Sequence, residues 1–481
     1  MQSRGDKGHD ALATVELVRK IGPPASEDPR IELAEAAAWD AVSDFKRQEQ
    51  PLARAVEKAK SLGARLILAH ALENQCWMFI FLEQTQKAVA ACRESRDISA
   101  AAGDRNGEAV ALRNWADALQ KTDASESIRL YQQAETIFRE VGSEAGMSDV
   151  LNNLSVLYSA QGDLATFEKM QREALDKFRL LGNKRNQAVA IANIADARME
   201  QGDLLGAIQL IEEALQLDRE IGDTGYAATN GYNLAVVYQL QGDLAGAKQG
   251  FEQSIATWQK NGDQDHSALA MWSLGGLLLQ EADFSGARKM YEQALTIRTS
   301  AGDKLAIAET QLSLADLALE EERSPSEQEA ALRQILKLFR EQNARDDEIQ
   351  AWGILARTMF AKGEAAAEPM HHARSLAAKS QDPEIRWRTA ITAAGIDNTG
   401  PDVAKSSAWI AMRKELAAII GKSRELGYRG IELDARLALA EIEMKAGERV
   451  PGRAHLAAIE ADATTKGYKL VARKAAMLQS S

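Results

Sequence analysis

A chain of 481 residues with a formal net charge of −12 and an isoelectric point near 5.3 offers no basic stripe for phosphate backbones, which excludes nonspecific nucleic-acid binding. Hydrophobic residues make up 45% and aromatics only 5%, with 9 prolines, a balance that favours Ala/Leu-rich helix packing over sheets. The two cysteines, Cys76 and Cys92, supply neither a disulfide framework nor a metal set and read as small buried hydrophobes.

The opening MQSRGDKGHD is polar and lacks the apolar core of a signal peptide. The longest apolar run, Trp77–Leu82 with Cys76 before it, falls far short of a membrane span. A cytoplasmic chain without membrane insertion is therefore expected, with an extracytoplasmic place open if a longer parent carries a membrane helix upstream. Arg4–Pro24 reads as a turn followed by one helix whose partner is missing, and GPPASEDPR (22–30) as a linker whose prolines cannot continue a helix. Residues 1–30 are thus a half-repeat and a linker, as though the chain began in mid-repeat.

A regular array follows over 31–342. Its clearest unit is 224–262, where Leu234, Ala235 and Tyr238 form one face of a first helix. Gly242 stops that helix, because glycine takes the left-handed conformation at low cost, and Asp243 caps the next. Ala247, Phe251 and Ile255 then form the packing face of the second helix. Glycines at 103, 142, 182, 222, 262 and 302 end successive units, and the internal turn recurs as QGDL at 161–164, 201–204 and 241–244 before degenerating to EADF at 281–284. Ala207, Ala247 and Ala287 share one slot, and Ile211, Phe251 and Tyr291 another. A third slot holds Ala174, Ala214 and Ala294, with Ser254 replacing alanine in the unit between. Such a unit cannot bury its own apolar face and must stack on its neighbours. From 343 to 467 the phase weakens into degenerate helix pairs at about 347–380, 384–426 and 429–466, with the clearest loop at 395–407. A capping helix is expected within 468–481, with Arg473 and Lys474 in solvent.

A family resemblance rests on these residues. The phase over consecutive units resembles the tetratricopeptide repeat in its longer, roughly 40-residue form. The run from DPRIELAEA (28–36) to KGYKLVARKAA (466–476) looks like the C-terminal repeat region of bacterial signalling proteins, where it follows a serine/threonine kinase or a winged-helix DNA-binding domain. The resemblance implies an all-α, right-handed superhelical solenoid of about ten helix pairs. It implies a sensory or protein-binding region and nothing catalytic.

Candidate binding residues fall in columns. Asn114, Asn153, Asn193 and Asn233 each precede the packing residue of a first helix (Trp115, Leu154, Ile194, Leu234), so stacking sets them in a row. In tetratricopeptide superhelices such a row lines the concave groove and resembles a ladder that holds an extended peptide backbone there, to which a carboxamide offers donor and acceptor together. The other reading is that these asparagines bond between repeats. One position earlier run Arg113, Asn152, Ala192, Tyr232, Trp272 and Leu312; the aromatics serve either as anchors for a partner's apolar side chains or as ordinary packing. One turn along the same face stand Asp117, Asp196 and Asp316, favouring a neutral or basic segment.

Catalytic and cofactor signals fail on inspection. Gly421-Lys422-Ser423 resembles the end of a phosphate loop, but residue 416 is leucine where that loop needs glycine. His371 and His372 are neighbours and diverge on a helix, a poor metal pair. No kinase loop or serine elbow occurs. A noncatalytic module that binds a protein or peptide segment is expected, without cofactor or metal. The alternatives are self-association through the terminal half-repeat, giving a homo-oligomer, or autoregulation of an attached kinase or transcription regulator.

Overall fold

The computed structural model describes residues 4–41, 44–160, 163–321, 328–380, 382–396 and 407–480. Among these the regular secondary structure is entirely helical, and the chain divides into two compact units, Met1–Asn186 and Gln187–Ser481.

The same local chemistry recurs at four of the joints. Asp104, Asp203, Asp243 and Asp283 each accept the backbone N–H of the glycine three residues on, at 2.9–3.0 Å, satisfying a donor that the first helical turn leaves free. Those glycines leave room for the cap, since a Cβ on any of them would lie 2.3–2.4 Å from the capping carboxylate. At the other end Gly242 closes its helix at φ +89°, a conformation that side chains resist. Where EADF replaces QGDL, Ala282 is driven to φ +58°.

The first unit holds α1 (Arg4–Arg19), α2 (Pro29–Ala41), α3 (Phe45–Ser61), α4 (Arg65–Phe81), α5 (Thr85–Ala101), α6 (Arg105–Leu119), α7 (Ala124–Val141), α8 (Glu144–Ala160) and α9 (Leu164–Leu180). Two expectations are corrected here. The stretch from Arg4, expected to open as a turn, is helical from Arg4 to Arg19, with Gly5 and Gly8 carried inside one continuous helix. Cys76 and Cys92 are fully buried as expected, yet they are joined in a disulfide. The hairpin of α4 on α5 brings their Cα atoms to 5.3 Å, within the reach of an S–S bridge. Counting cysteines could not reveal that register.

The second unit holds α10 (Lys184–Glu200), whose first three residues precede the division, then α11 (Leu204–Ile221), α12 (Thr224–Gln241), α13 (Leu244–Asn261), α14 (Gln264–Gln280), α15 (Phe284–Ala301), α16 (Lys304–Glu320), α17 (Gln328–Glu341), α18 (Arg345–Ala361) and α19 (Ala367–Ala377). It ends with α20 (Pro383–Ile396), α21 (Ser407–Leu426), α22 (Arg429–Lys445), α23 (Arg449–Thr465) and α24 (Lys469–Ser480). The alanine slot at 207, 247 and 287 and the bulky slot at Ile211, Phe251 and Tyr291 are buried. Ser254, the polar exception in the third slot, donates to the Ala228 carbonyl at 3.0 Å, so its hydroxyl is not orphaned. Residues 397–406 of the expected loop, and Gln161 and Gly162 of the first QGDL, lie outside the described residues.

The last helices do not end an open stack. Trp409, Leu416, Ile419, Tyr428 and Ile431 share one core with Leu204, Ala207, Ile211 and Val237. Tyr468 and Leu433 share another with Leu244. The Tyr428 hydroxyl donates to the Met199 carbonyl and the Tyr468 hydroxyl to the Gln239 carbonyl, each at 3.3 Å and each 229 residues apart. Arg473 is exposed, as expected, whereas Lys474 is only partly so. Lys474 donates to Glu320 of α16 at 2.8 Å, and the Arg473 guanidinium lies over the Phe284 ring of α15 at 5.5 Å, where α24 packs on α14.

Candidate functional site: the first-helix rows

Within each compact unit the row residues occupy the flank of a first helix that meets the next first helix. In the first unit Arg113, on α6, donates to Asn114 Oδ1 at 3.2 and 3.3 Å and to Asp149 at 3.0 Å. Asn114 itself is only 3% exposed, so its carboxamide holds the guanidinium in place. On α8, Asn153 donates to Asp117 Oδ1 at 3.0 Å, and the Tyr131 hydroxyl donates to the same oxygen. Gln171 donates to Asn152 Oδ1 at 3.1 Å. Burial raises the Asp117 carboxyl above the usual range, against the pull of Tyr131 and Arg113.

The second unit repeats the connection. Asn233 Nδ2 donates to Asp196 Oδ1 at 3.4 Å, the counterpart of Asn153 on Asp117; Asn193 lies one helix earlier, on α10. The aromatic column is tied the other way. The Tyr232 hydroxyl meets Ser273 Oγ at 2.9 Å, and Trp272 Nε1 donates to Ser313 Oγ at 2.8 Å, both 41 positions on. Tyr232 also packs on Phe251 and Trp258. The Arg298 guanidinium sits over the Trp272 ring at 5.5 Å and donates to the Ala306 carbonyl at 2.8 Å. Sequence reasoning missed Arg298 and the partnership of the serines. Their signal is the spacing: residues 41 apart on neighbouring first helices face one another.

Asp196 is solvent-accessible, yet burial of its surroundings, then the nearby Glu200, pushes its carboxyl up to about 6. Burial, then Asp382, also raises Glu200. The first-helix face of this unit is therefore rich in carboxyl groups that ionise reluctantly.

The motifs that resemble catalytic signals are placed too. Gly421-Lys422-Ser423 lies inside α21, with Ser423 buried. His372 stacks on Trp352 at 4.5 Å. Among the described residues no group of His, Cys, Asp or Glu could hold a metal ion, and no helix is long and apolar enough to cross a membrane.

Comparison with known proteins matches two tetratricopeptide-repeat family profiles, over residues 148–181 and 225–300. No curated protein matches. Three solved structures are similar in fold. Aspartyl phosphate phosphatase F from Bacillus subtilis has 12% identity and a TM-score of 0.52 over 75% of this chain and 97% of its own. The apo form of the quorum sensor NprR from B. thuringiensis has 14% identity and a TM-score of 0.52 over 73% and 99%. A STAND protein (signal transduction ATPase with numerous domains) with a tetratricopeptide repeat sensor, from Pyrococcus horikoshii, has 14% identity and a TM-score of 0.51 over 74% of this chain and 53% of that one. The 40-residue phase, the capped hairpins and the matched profiles agree: residues 148–181 and 225–300 are tetratricopeptide repeats.

Proposed function

We propose that the chain is a noncatalytic interaction module whose first-helix rows receive an extended protein segment, in bacterial signalling or complex assembly. The observation that carries this reading is the pairing of Asn153 with Asp117 and of Asn233 with Asp196. Each pairing uses one amide hydrogen and fixes the carboxamide plane, while a carboxamide has further donor and acceptor capacity. A pre-oriented group loses less freedom when a partner binds. Asn193 stands in the same register, and Arg113, Asn152, Tyr232 and Trp272 frame the rows. The reluctant carboxyls, Asp117 and Asp196, favour a neutral or basic segment. Two proteins that share the fold are sensors, which supports a sensing role, for instance in controlling an attached kinase or transcription regulator.

The test is selection of a random-peptide library on the immobilised chain, followed by titration of the selected peptide. The Asn153→Ala/Asn193→Ala/Asn233→Ala variant is expected to bind about tenfold more weakly or worse with unchanged helicity. Equal affinity for parent and variant would remove the rows from the account. Self-association is a second reading, favoured by Leu17 and Ile21 on and just after α1, which are 64% and 72% exposed. Concentration-dependent mass in solution, lost in Leu17→Lys, would establish it.

A further inference from the structure

The first helices of the second unit close around a cavity. α14, α16, α18, α20, α22 and α24 all contribute to its wall, and it encloses about 590 Å³, within the range of small-molecule sites. Much of the wall is aliphatic, with Leu319, Ile391 and Leu437 among its residues. Into it project charged side chains that are nearly all neutralised within the protein. Arg357 pairs with Asp316 and, at 2.5 Å, with Glu320. Lys474 pairs with Glu320 and Arg388 with Glu384, at 2.8 and 2.7 Å. Glu441 pairs with Lys445 at 2.8 Å.

Asp434 is the exception. It lines the cavity with no hydrogen bond or salt bridge to any described residue. Arg388 of α20, Lys474 of α24, Arg357 of α18 and Glu320 of α16 all act on it, but the three cations are answered by Asp316, Glu320 and Glu384. One carboxyl is left without a partner, and burial raises it above the usual carboxylate range.

We propose that this cavity binds a small organic monocation with an apolar body, its ammonium or guanidinium group paired with Asp434 and its body against the aliphatic wall. An anionic ligand would meet Asp434, Asp316 and Glu320 without a free cation. A neutral ligand would seal Asp434 away from water unpaired, which is costly. Gly395 of α20 keeps the cavity open: a Cβ there would meet nothing within 4 Å. The inference is independent of the segment reading, because Asn193, Asn233, Tyr232 and Trp272 lie outside the wall.

The experiment titrates the full chain with three isosteric probes, 4-phenylbutylammonium, 4-phenylbutyrate and 4-phenylbutanol, by calorimetry and by thermal melting. The ammonium alone is expected to bind one per chain and to raise Tm with dose. Asp434→Asn should weaken it about tenfold or more by removing the charge. Gly395→Leu should abolish it by filling the cavity, while exchanging a helical glycine for a better helix former keeps the fold. Equal responses to the three probes, no response to the ammonium, or undiminished binding by Gly395→Leu would overturn the proposal. If Asp434→Asn fails to fold, Gly395→Leu decides alone.

Discussion

Single residues carry the joints of this protein, and Ala282 is among the strained ones, with Glu83 and Asn343. Ala282 occupies the left-handed position that Gly202 and Gly242 hold in the neighbouring turns. A left-handed side-chain residue costs about 1–2 kcal/mol, part of which glycine returns as unfolded-state entropy. Ala282→Gly is therefore expected to stabilise the protein by about 0.5–1 kcal/mol, measured as a shift in denaturant midpoint; a loss of stability would contradict the strain. The bridge between Cys76 and Cys92 closes a sequence separation of 16, a loop whose crosslink contributes about 3 kcal/mol. Cys92→Ser should lose about that much, and the unreduced, unfolded parent should show no free thiol to an alkylating reagent. The aspartate caps and left-handed glycines were legible in sequence because each is settled within a few neighbouring residues. The disulfide was not, because it depends on the register of two helices across a turn.

At the scale of elements the repeats were legible for a similar reason: period and slot follow from one helix resting on the next. The return of α20–α24 onto α10–α16 was not. The letters QGDL are identical in three units, yet only in the second unit do the leucines lie beneath a tyrosine from 224 positions further on. Leu204 and Leu244 are 2% and 3% exposed, packed with Tyr428 and Tyr468, whereas Leu164 is only half-buried. Leu244→Ala should cost about 3 kcal/mol, and Leu164→Ala at the same place in the repeat clearly less. Equal costs in thermal unfolding would mean that the C-terminal helices contribute nothing to the turns. The asparagine rows were visible as a column, but their bonds to Asp117 and Asp196 needed the spacing of neighbouring first helices, about 36 to 41 residues, which no single unit displays.

For the molecule as a whole, the acidic balance seen in composition becomes a pH response. Burial pushes Asp196 up to about 6, with Glu200 assisting, and Asp347 up to about 6, with Glu309 and Asp346 assisting. A free aspartate carboxyl titrates near 3.8, so between 3.8 and 6 the folded chain holds more protons than the unfolded one. Their contribution to stability is thus fully present below 3.8 and is lost as pH rises through 6. Asp196→Asn/Asp347→Asn should melt higher than the parent at pH 7.5, by about 1 kcal/mol in stability after screening by water. It should match the parent at pH 4; a difference that persists there would contradict the assignment. The most direct measurement of the central reading is hydrogen exchange of the full chain with and without the peptide selected on it. Slowed exchange along the first helices α8, α10 and α12, with α9, α11 and α13 unchanged, is the predicted result. Protection of the second helices instead, or of neither set, would contradict a module that receives its partner on the first-helix rows.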